Sequence, residues 1–494
     1  MEAYSNLRSI FQNISPLDHR YSLSEETLYN SLVPWISEDA SVKACVKAEI
    51  ALVMAHLSVR GKLNAGLREE LGKAGDSVSP GEVYAEEEKT RHFMRALVNV
   101  LKKKAEALPN GDIISPLVHL GATSVDILDT SLSTRIRGVT QNVILPELKK
   151  LELLLCDFTE REAETPQVGR THGQHAVPVT LGFSIAEYVS RLGKSIIEIE
   201  RLEKNLKGKL SGAVGAYNAT AMIVKDPEEL ERLYLAELGL EPSEHSTQLV
   251  EPEYLLRLLV EFNTAFGIIA NLADDLRNLQ RSEIAELREG FAAEQVGSST
   301  MPQKRNPWNS EHVKSLWKAF MPRVLTFFMD QVSEHQRDLT NSASQRFIAD
   351  YIAGFCLAVS RMAGVIESLK PNHEQLIANL LGTANSIAGG IKGAVLAEPA
   401  YILLAESGAK DAHEVIRKIT IEAEKKKIGF AEALAEESGV FSAIAGKMAG
   451  LGIINSGGDV VKAALEWFGN PALYRGLAAE KAHNIAAKYR KLFL

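Results

Sequence analysis

Apolar side chains recur in steps of three and four residues along three long segments of the chain. The clearest series lies in 255–290 and consists of Leu259, Phe262, Phe266, Ile269, Ala273, Leu276 and Leu279. Segment 181–206 carries Ile185, Val189, Leu192, Ile196, Ile199 and Leu206, and segment 130–158 carries Leu132, Ile136, Val139, Val143, Leu148, Leu151, Leu155 and Phe158. This spacing is typical of amphipathic α-helices, and its length predicts long helices that pack near-parallel in a bundle.

Strand signals are weak, and two breaks divide the helical pattern. Residues 212–224 fit a short hairpin or a loop equally well, and no alternation of strands with helices is visible. One break is the stretch 108–124, rich in Gly, Pro and Ser, and the other is 369–376, where Pro371 ends a helix. We therefore predict an all-α fold of three helical domains: an N-terminal domain 1–115, a central long-helix bundle 116–370, and a C-terminal domain 371–494.

Composition adds bounds on location and partners. The 494 residues are 46% hydrophobic, enough for a large core, and the net charge of -8 argues against a general affinity for nucleic acid or an anionic membrane. The cysteines Cys45, Cys156 and Cys356 form no C-x-x-C pair, which disfavours a disulfide framework and fits a reducing compartment. Without a signal-peptide pattern or an uncharged apolar run of about 18 residues, we expect a soluble, cytoplasmic protein.

Four polar segments interrupt the helical pattern and bring titratable side chains into loops. They are 121–126, 169–178, 243–248 and 297–307. Together they hold His172, His175, His245, Ser298 and Ser299, and His119 lies just ahead of the first. Because His titrates near neutrality and a cationic surround can activate a Ser, such loops between rigid helices favour proton-transfer chemistry.

Several of these groups also have an ordinary structural explanation. Gly-Ser-Ser is typical of a flexible connector, and Thr123, Ser124 and Asp126 are typical of a helix cap. A histidine among apolar residues, such as His92, more often packs in a core.

Metal and nucleotide motifs are missing from the sequence. His172 and His175 have a spacing that zinc ligands use, but no third ligand is spaced to match them. The chain has no phosphate loop, no G-x-G-x-x-G and no H-E-x-x-H, so we expect neither a metal nor a cofactor. Arg337 and Arg346 fit surface charges on a helix. The residues alone thus predict a helical enzyme that handles an anion, and they leave the reaction open.

The stretch GSSTMPQKRNP, residues 297–307, resembles the signature loop of the fumarase/aspartase superfamily. Within that superfamily the chain is most similar to the adenylosuccinate lyase family. The similarity is carried by the stretches SPLDHRYS, HLGATSVDILDT, GRTHGQHAVPVTLG, LRNLQRSEIAEL and RDLTNSASQR. The last of these, 337–346, discriminates best against other members. The resemblance implies a helical homotetramer without a cofactor, in which three subunits build each active site.

The resemblance also implies a reaction and roles for individual residues. The family eliminates fumarate from adenylosuccinate, giving AMP, and from the succinyl-carboxamide ribotide SAICAR, giving AICAR, in purine biosynthesis. Ser298 matches the catalytic base, His172 matches the acid that protonates the leaving nitrogen, and Glu311 matches the carboxylate partnered with that histidine. His92 and His119 match two further active-site histidines.

Eleven residues match substrate-binding positions of the family. They are Arg20, Tyr21, Thr123, Ser124, Thr171, Gln248, Lys304, Asn306, Arg337, Ser342 and Arg346. Lys304 and Asn306 match residues that hold the succinyl carboxylates. Cations such as Lys304 and Arg305 on a glycine-led loop would favour the alkoxide that an ordinary serine rarely forms near neutral pH.

Two residues depart from the family pattern. His19 stands where the N-terminal motif usually has Gly, which a turn with positive φ would favour, and Gln303 stands where many family members have His. Another lyase of the superfamily, such as argininosuccinate lyase or a cycloisomerase, is therefore the first alternative. A non-catalytic scaffold protein is the second, but the presence of Ser298, His172 and Lys304 argues against it.

Overall fold

The computed structural model describes residues 9–291, 297, 300–382 and 391–494. Helices make up 68% of the chain, which confirms the predicted all-α class. The helices of the first half are α1 (Arg20–Ser24), α2 (Glu26–Ile36), α3 (Glu38–Val59), α4 (Ala65–Asp76), α5 (Pro80–Thr90), α6 (Phe93–Glu106), α7 (Gly111–Ile114), α8 (Ser124–Val139), α9 (Leu145–Arg161), α10 (Leu181–Lys204), α11 (Thr220–Ile223) and α12 (Pro227–Ala236). The helices that follow are α13 (Glu253–Leu279), α14 (Trp308–Phe320), α15 (Arg323–Met329), α16 (Ile348–Ser368), α17 (His373–Leu380), α18 (Ala397–Glu406), α19 (Ala412–Lys426), α20 (Phe430–Glu436), α21 (Ser438–Gly450), α22 (Val460–Phe468) and α23 (Ala478–Phe493).

The remaining elements are short. Within the described ranges, six strands form three pairs, and they are β1 (Pro166–Thr171), β2 (Gln174–Thr180), β3 (Lys207–Gly208), β4 (Glu241–Pro242), β5 (Leu287–Arg288) and β6 (Lys370–Pro371). Single 3₁₀ turns occur at Ile10–Gln12, Pro16–Asp18, Ser115–Leu117, Ser344–Phe347, Ala394–Leu396 and Pro471–Leu473. β1 and β2 are an antiparallel hairpin where the sequence indicated only a polar loop. Residues 212–224, for which a hairpin or a loop was expected, form turns and the short helix α11.

The long helices follow the apolar series of the sequence closely. α13 has 27 residues and ends at Leu279, the last member of its series, and α10 has 24 residues. Leu259, Phe262 and Ile269 are at most 2% exposed, so the apolar stripe is a core surface. By length and composition alone, the segments Glu253–Leu279 and Ser344–Ser368 could each cross a membrane. Most of each apolar window is buried inside the protein, as in core helices of soluble proteins.

A π-helical segment, Thr140–Ile144, joins α8 to α9. It coincides with the one step of five in the apolar series, from Val143 to Leu148. Pro146 has no N–H to bond back to the carbonyl of the preceding turn, and its ring would crowd that carbonyl in a regular α-helix. A widened turn relieves that conflict, and it keeps Val143 and Leu148 buried at 3% and 0% exposure.

The chain forms two compact units. The first contains 1–149, 194–267 and 315–360, and the second contains 150–193, 268–314 and 361–494. Within the first, α3 packs against α8 and α12. Within the second, α18 to α22 surround a separate apolar cluster that includes Phe430, Phe441 and Phe468. The three-domain division was drawn from breaks in the sequence, and it stays a prediction.

Side chains at the helix starts explain several boundaries. Ser37 accepts a hydrogen bond from the Ala40 N–H at 3.1 Å and begins α3. At α5, Ser79 and Glu82 each accept a bond from the other's backbone N–H, with Pro80 in the first helical position. Asp226 caps α12 through the Glu229 N–H at 2.9 Å.

Candidate functional site

His172 lies at the tip of the β1–β2 hairpin, in the second compact unit. His172 and Gly173 are the two turn residues, and both have positive φ, 55° and 73°, as a tight turn between twisted strands requires. Thr171 and His172 are exposed. Within the described part of the chain no hydrogen bond reaches the His172 ring, so it is open to a substrate or to another chain.

The base of this hairpin is fixed by a buried carboxylate, Glu286. Arg170 donates to it from Nη1 at 3.0 Å and from Nη2 at 2.5 Å, and Gln167 Nε2 donates at 2.8 Å. Asn379 Nδ2 of α17 donates to it at 2.8 Å. Glu286 is 0% exposed. The paired strand β1 is therefore tied, through one side chain, to the segment before β5 and to α17.

Gly169 shapes the same hairpin. The register shifts between Val168 and Arg170, so one residue on β1 faces two on β2. A Cβ at Gly169 would lie 2.6 Å from the Val177 carbonyl oxygen, which is backbone and cannot move aside easily. Burial lowers the pKa of the nearby His175, and the Arg170 charge adds to that effect.

The two ends of the loop 297–307 lie close together. Asn306 Nδ2 donates to the Gly297 carbonyl at 3.2 Å, and a Cβ at Gly297 would lie 2.3 Å from the Lys304 carbonyl. The Arg305 guanidinium stacks over the Phe291 ring at 4.9 Å. Lys304 itself is exposed. Ser298, the predicted base, lies outside the described residues, as does Ser299.

Glu311 lies in the first turn of α14, close behind this loop. It is exposed, and its N–H bonds to the Pro307 carbonyl at 3.0 Å. Glu289 caps the helix start by accepting from the Ser310 N–H and Oγ at 2.8 and 2.6 Å. No hydrogen bond or ion pair joins Glu311 to His172 among the described residues of one chain.

His119 lies in the first compact unit, in a turn just before α8. Its φ is 60°, its N–H donates to Glu49 Oε2 at 3.0 Å, and its Nδ1 bonds Glu49 Oε1 at 2.6 Å. Glu49, on α3, is fully buried. Burial lowers the pKa of His119, but the hydrogen bond and charge of Glu49 outweigh it, so the pKa lies above its ordinary value.

Two further groups hold that turn in place. His56 Nε2 donates to the Leu120 carbonyl at 2.8 Å, and burial lowers the pKa of His56. Asp126 accepts from the Thr123 N–H at 2.8 Å, which makes Thr123 the cap of α8 and confirms the structural explanation given above. Asp126 also pairs with Lys209, and both side chains are 0% exposed. A charge pair so deeply buried must form for α8 to pack.

Two predicted substrate-binding residues of the first unit, Gln248 and Thr123, are hydrogen-bonded near the start of α8, and a third, Arg337, is next in sequence to a residue that Gln248 contacts. Gln248 Nε2 donates to Thr123 Oγ1 at 3.4 Å, and the Gln248 N–H donates to the Gln336 carbonyl at 3.2 Å. Next to Gln336, Arg337 donates to the Asp338 carbonyl at 2.6 Å and to Asn341 Oδ1 at 3.3 Å. Gln336, the residue just before the motif 337–346, is therefore connected to Thr123 through Gln248.

The other predicted residues of this unit are placed individually. Ser124 is the first residue of α8, and Ser342 and Arg346 are exposed, with Arg346 in the turn Ser344–Phe347. Arg20 and Tyr21 begin α1. His19 has φ of -133°, which any residue adopts, so this turn does not require glycine. The alternative of a core-packed His92 is wrong, because His92 is exposed and its Nδ1 caps α6 by accepting from the Arg95 N–H at 3.1 Å.

Sequence reasoning missed the buried carboxylates. Glu49 and Glu286 are 70 and 116 residues from His119 and Arg170, their respective partners, so no local spacing links them. In the described ranges, no group of three or more His, Cys, Asp or Glu side chains is placed to hold a metal ion. Cys45, Cys156 and Cys356 are buried free thiols.

Comparison with solved structures shows the fold. The 3-carboxy-cis,cis-muconate lactonizing enzyme from Pseudomonas putida superposes with a TM-score of 0.77 at 22% identity, covering 94% of this chain and 98% of that one. The fumarate lyase from Mesorhizobium sp. BNC1 superposes with a TM-score of 0.75 at 19% identity, covering 94% and 97%.

Sequence comparison is more specific. Residues 6–319 match the lyase family model, and residues 333–451 match the model described as adenylosuccinate lyase C-terminal. The adenylosuccinate lyase of Pyrococcus horikoshii is 32% identical over 86% of this chain and 90% of that protein. That of Methanocaldococcus jannaschii is 30% identical over 94% of each. The chain belongs to the adenylosuccinate lyase family, the carbon–nitrogen lyases of the fumarase/aspartase superfamily.

Proposed function

We propose that this protein eliminates fumarate from adenylosuccinate, releasing AMP, and from SAICAR, releasing AICAR. The observation that carries this proposal is the match of residues 333–451 to the C-terminal model of adenylosuccinate lyases. That range contains Arg337, Ser342 and Arg346, the motif residues that discriminate best against other lyases of the superfamily. Solved structures below 25% identity speak for the fold alone, so they do not favour a lactonizing enzyme or a cycloisomerase.

The proposed reaction needs one base and one acid. Ser298 removes a proton from the succinyl carbon next to the carbon that carries nitrogen, and the electron pair delocalises into the adjacent carboxylate. The C–N bond then breaks, fumarate forms, and His172 donates a proton to the leaving nitrogen. The exposed position of His172 on a rigid hairpin supports this role, because an acid must reach the substrate from a fixed direction.

Charge on the loop 297–307 supports the assignment of the base. Lys304 and Arg305 stand a few residues from Ser298, and the Asn306 bond to Gly297 keeps the ends of the loop together. The cations lower the free energy of an alkoxide on Ser298 and of the doubly charged carboxylate in the transition state. Lys304 and Asn306 hold the succinyl carboxylates in this proposal.

The nucleotide lies with the residues of the first unit in this proposal. Thr123, Gln248 and Arg337 supply hydroxyl, amide and guanidinium donors within one network of contacts. Arg and hydroxyl donors are the groups that bind phosphate and ribose oxygens. Arg20, Tyr21, Ser124, Thr171, Ser342 and Arg346 complete the substrate-binding set, and His92 and His119 are the further histidines of the site.

We also propose a homotetramer with sites shared between subunits. Glu311 and His172 are assigned to one catalytic pair, yet they form no contact among the described residues of a single chain. A second subunit that brings Glu311 to His172 would complete the pair and orient the acid ring. No metal or cofactor takes part in this proposal.

The test is an assay of purified protein with adenylosuccinate, in which AMP and fumarate are quantified beside an argininosuccinate control. Ser298→Ala and His172→Asn should each lose turnover while still binding AMP. Mixed and allowed to exchange subunits, the two variants should regain part of the activity, because some hybrid sites are intact. Fumarate from argininosuccinate alone would overturn the substrate assignment, full turnover by Ser298→Ala would overturn the base, and no regain on mixing would overturn the shared site.

A further inference from the structure

Glu286 is a buried carboxylate with several hydrogen-bond partners. Arg170 and Gln167 lie on strand β1 of the His172 hairpin, and Asn379 lies on α17. The Glu286 carboxylate accepts four hydrogen bonds, from Arg170, Gln167 and Asn379. Its backbone is fixed as well, because its N–H donates to the Leu279 carbonyl at 2.9 Å and its carbonyl accepts from the Asn372 N–H at 2.9 Å.

Gln167 and Asn379 make further hydrogen bonds of their own. Gln167 Oε1 accepts from Ser184 Oγ at 2.7 Å, which connects β1 to α10. Asn379 Nδ2 also donates to the Ile284 carbonyl at 2.8 Å. A buried network in which each member is satisfied has one low-energy arrangement, since any shift leaves a charge or a donor unpaired. The network therefore sets the position of Arg170, two residues before His172.

The charge of Arg170 also points to a role for Glu286. Arg170 is always protonated, and its side chain is largely buried, at 17% exposure. Without a counter-charge its field would act on the hairpin tip and disfavour a protonated ring there. Glu286 neutralises that charge at hydrogen-bond distance, 3.0 and 2.5 Å from the two Arg170 nitrogens.

We propose that Glu286 is a positioning residue for His172: through Arg170 and Gln167 it fixes the hairpin that presents the imidazole, and it neutralises the charge of Arg170. This inference rests on the proposed role of His172 as the general acid. Glu286 itself does not touch the reacting atoms. The ring stays free to donate its proton because the carboxylate binds the strand behind it rather than the ring.

Glu286→Gln tests the inference, because glutamine keeps the size of the side chain but presents an NH₂ group to donors and removes the charge. We expect kcat to fall by about 10-fold to 100-fold, as for a small misplacement of a catalytic group. An acid must be protonated, so activity is lost on the alkaline side of the kcat profile. With Arg170 uncompensated, that alkaline limb should move to lower pH by roughly half a pH unit. Glu286→Asp keeps the charge and should recover the position of the limb.

Glu231→Gln is the matched control for stability. Glu231 is also a buried glutamate, 3% exposed, and it accepts from Tyr217 Oη at 2.5 Å and the Leu210 N–H at 2.6 Å. We expect Glu231→Gln and Glu286→Gln both to lower Tm. Only Glu286→Gln should move the alkaline limb of the kcat profile. If both variants leave the limb unmoved, or both move it, the positioning role is wrong.

A second readout separates this inference from the proposed reaction. The ¹³C ring resonance of His172, assigned by its loss in His172→Asn, can be titrated in wild type and in Glu286→Gln. A titration midpoint that moves to lower pH supports the positioning role even if His172→Asn retains turnover and the acid assignment fails. An unchanged midpoint together with an inactive His172→Asn overturns the role of Glu286 alone.

Discussion

His119 and His172 occupy similar local structures with opposite electrostatic arrangements. Both have left-handed backbone, with φ of 60° and 55°, both lie within two residues of a glycine with positive φ, and a fully buried glutamate stands behind each. Glu49 bonds the His119 ring directly, whereas Glu286 bonds Arg170 and leaves the His172 ring open. A carboxylate that bonds the ring raises the pKa of the histidine, as Glu49 does for His119. A carboxylate behind the strand fixes only where the histidine lies.

This difference predicts unequal kinetic roles. Glu49 raises the pKa of His119 and so favours the protonated ring, which suits the binding of an anion, whereas His172 has no carboxylate on its ring among the described residues and is the proposed general acid. We therefore expect His119 to act on substrate affinity and His172 to act on the chemical step.

The largest effect is expected from replacing each histidine by asparagine, which tolerates left-handed backbone and so preserves the turn. His172→Asn should lower kcat by about 10²-fold to 10⁴-fold, the usual contribution of a general acid. His119→Asn should mainly raise KM. Steady-state fumarate release over a range of adenylosuccinate concentrations separates the two parameters, and a KM effect at His172 with a kcat effect at His119 would reverse the comparison.

A control is needed for His119→Asn, because it leaves Glu49 buried without its partner. The double variant His119→Asn/Glu49→Gln removes that uncompensated charge. The KM of the double variant should match that of the single variant, while its Tm should be higher. A KM restored by Glu49→Gln would show that the single substitution acts through misfolding of the turn.

An intermediate effect is expected in the pH dependence of stability. Because the folded-state pKa of His119 lies above its unfolded value, the His119–Glu49 pair stabilises fully below the unfolded pKa, and the contribution is lost as pH rises through the folded pKa. Glu49→Gln should cost about 2 kcal/mol of unfolding free energy at low pH and less at high pH. Urea unfolding at pH 6 and pH 9 measures this difference, and a cost that is equal at both values contradicts the charged pair.

The smallest effect is expected from replacing Gly173 or Gly121 by alanine. Gly173 has φ of 73°, and among the described residues no atom lies within 4 Å of the position that a Cβ would take, whereas Gly121 has φ of 78° with Ile223 and Thr220 atoms 3.1 Å from that position. Gly173→Ala should cost about 1–2 kcal/mol, the price of left-handed backbone for alanine. Gly121→Ala should cost more, because two side chains must also move. Thermal unfolding of both variants checks the order, and a costlier Gly173→Ala would contradict it.

Much of the fold could be predicted from the sequence because burial repeats along a helix. The series that ends at Leu279 marks the end of α13, and the step from Val143 to Leu148 marks the π segment, although its meaning was not evident beforehand. The β1–β2 hairpin was missed, since Gly169, His172, Gly173 and Pro178 weaken any strand pattern. Its strands are set instead by contacts with distant residues such as Glu286.

Some features of the candidate site could also be predicted from the sequence, and others could not. Motif residues such as Thr123, Gln248 and Arg337 could be named from the sequence, and the structure brings them together within one unit. The backbone conformation of His119 and His172 could not be predicted from the sequence, because positive φ in a non-glycine residue depends on tertiary contacts. Glu49 was missed for the same reason, since a buried glutamate inside the apolar helix α3 has no local signature.

The π segment between α8 and α9 has a consequence for the length of the chain. A residue added to an α-helix turns everything after it by about 100°, and so moves a buried stripe to the surface. At Thr140–Ile144 the extra residue is absorbed by the wide turn, and the apolar positions stay in phase on both sides. Asn142 is exposed there, so a one-residue deletion at this segment would keep the same side chains buried, but it would place Pro146 in a regular α-helix and restore its clash with the carbonyl of the preceding turn.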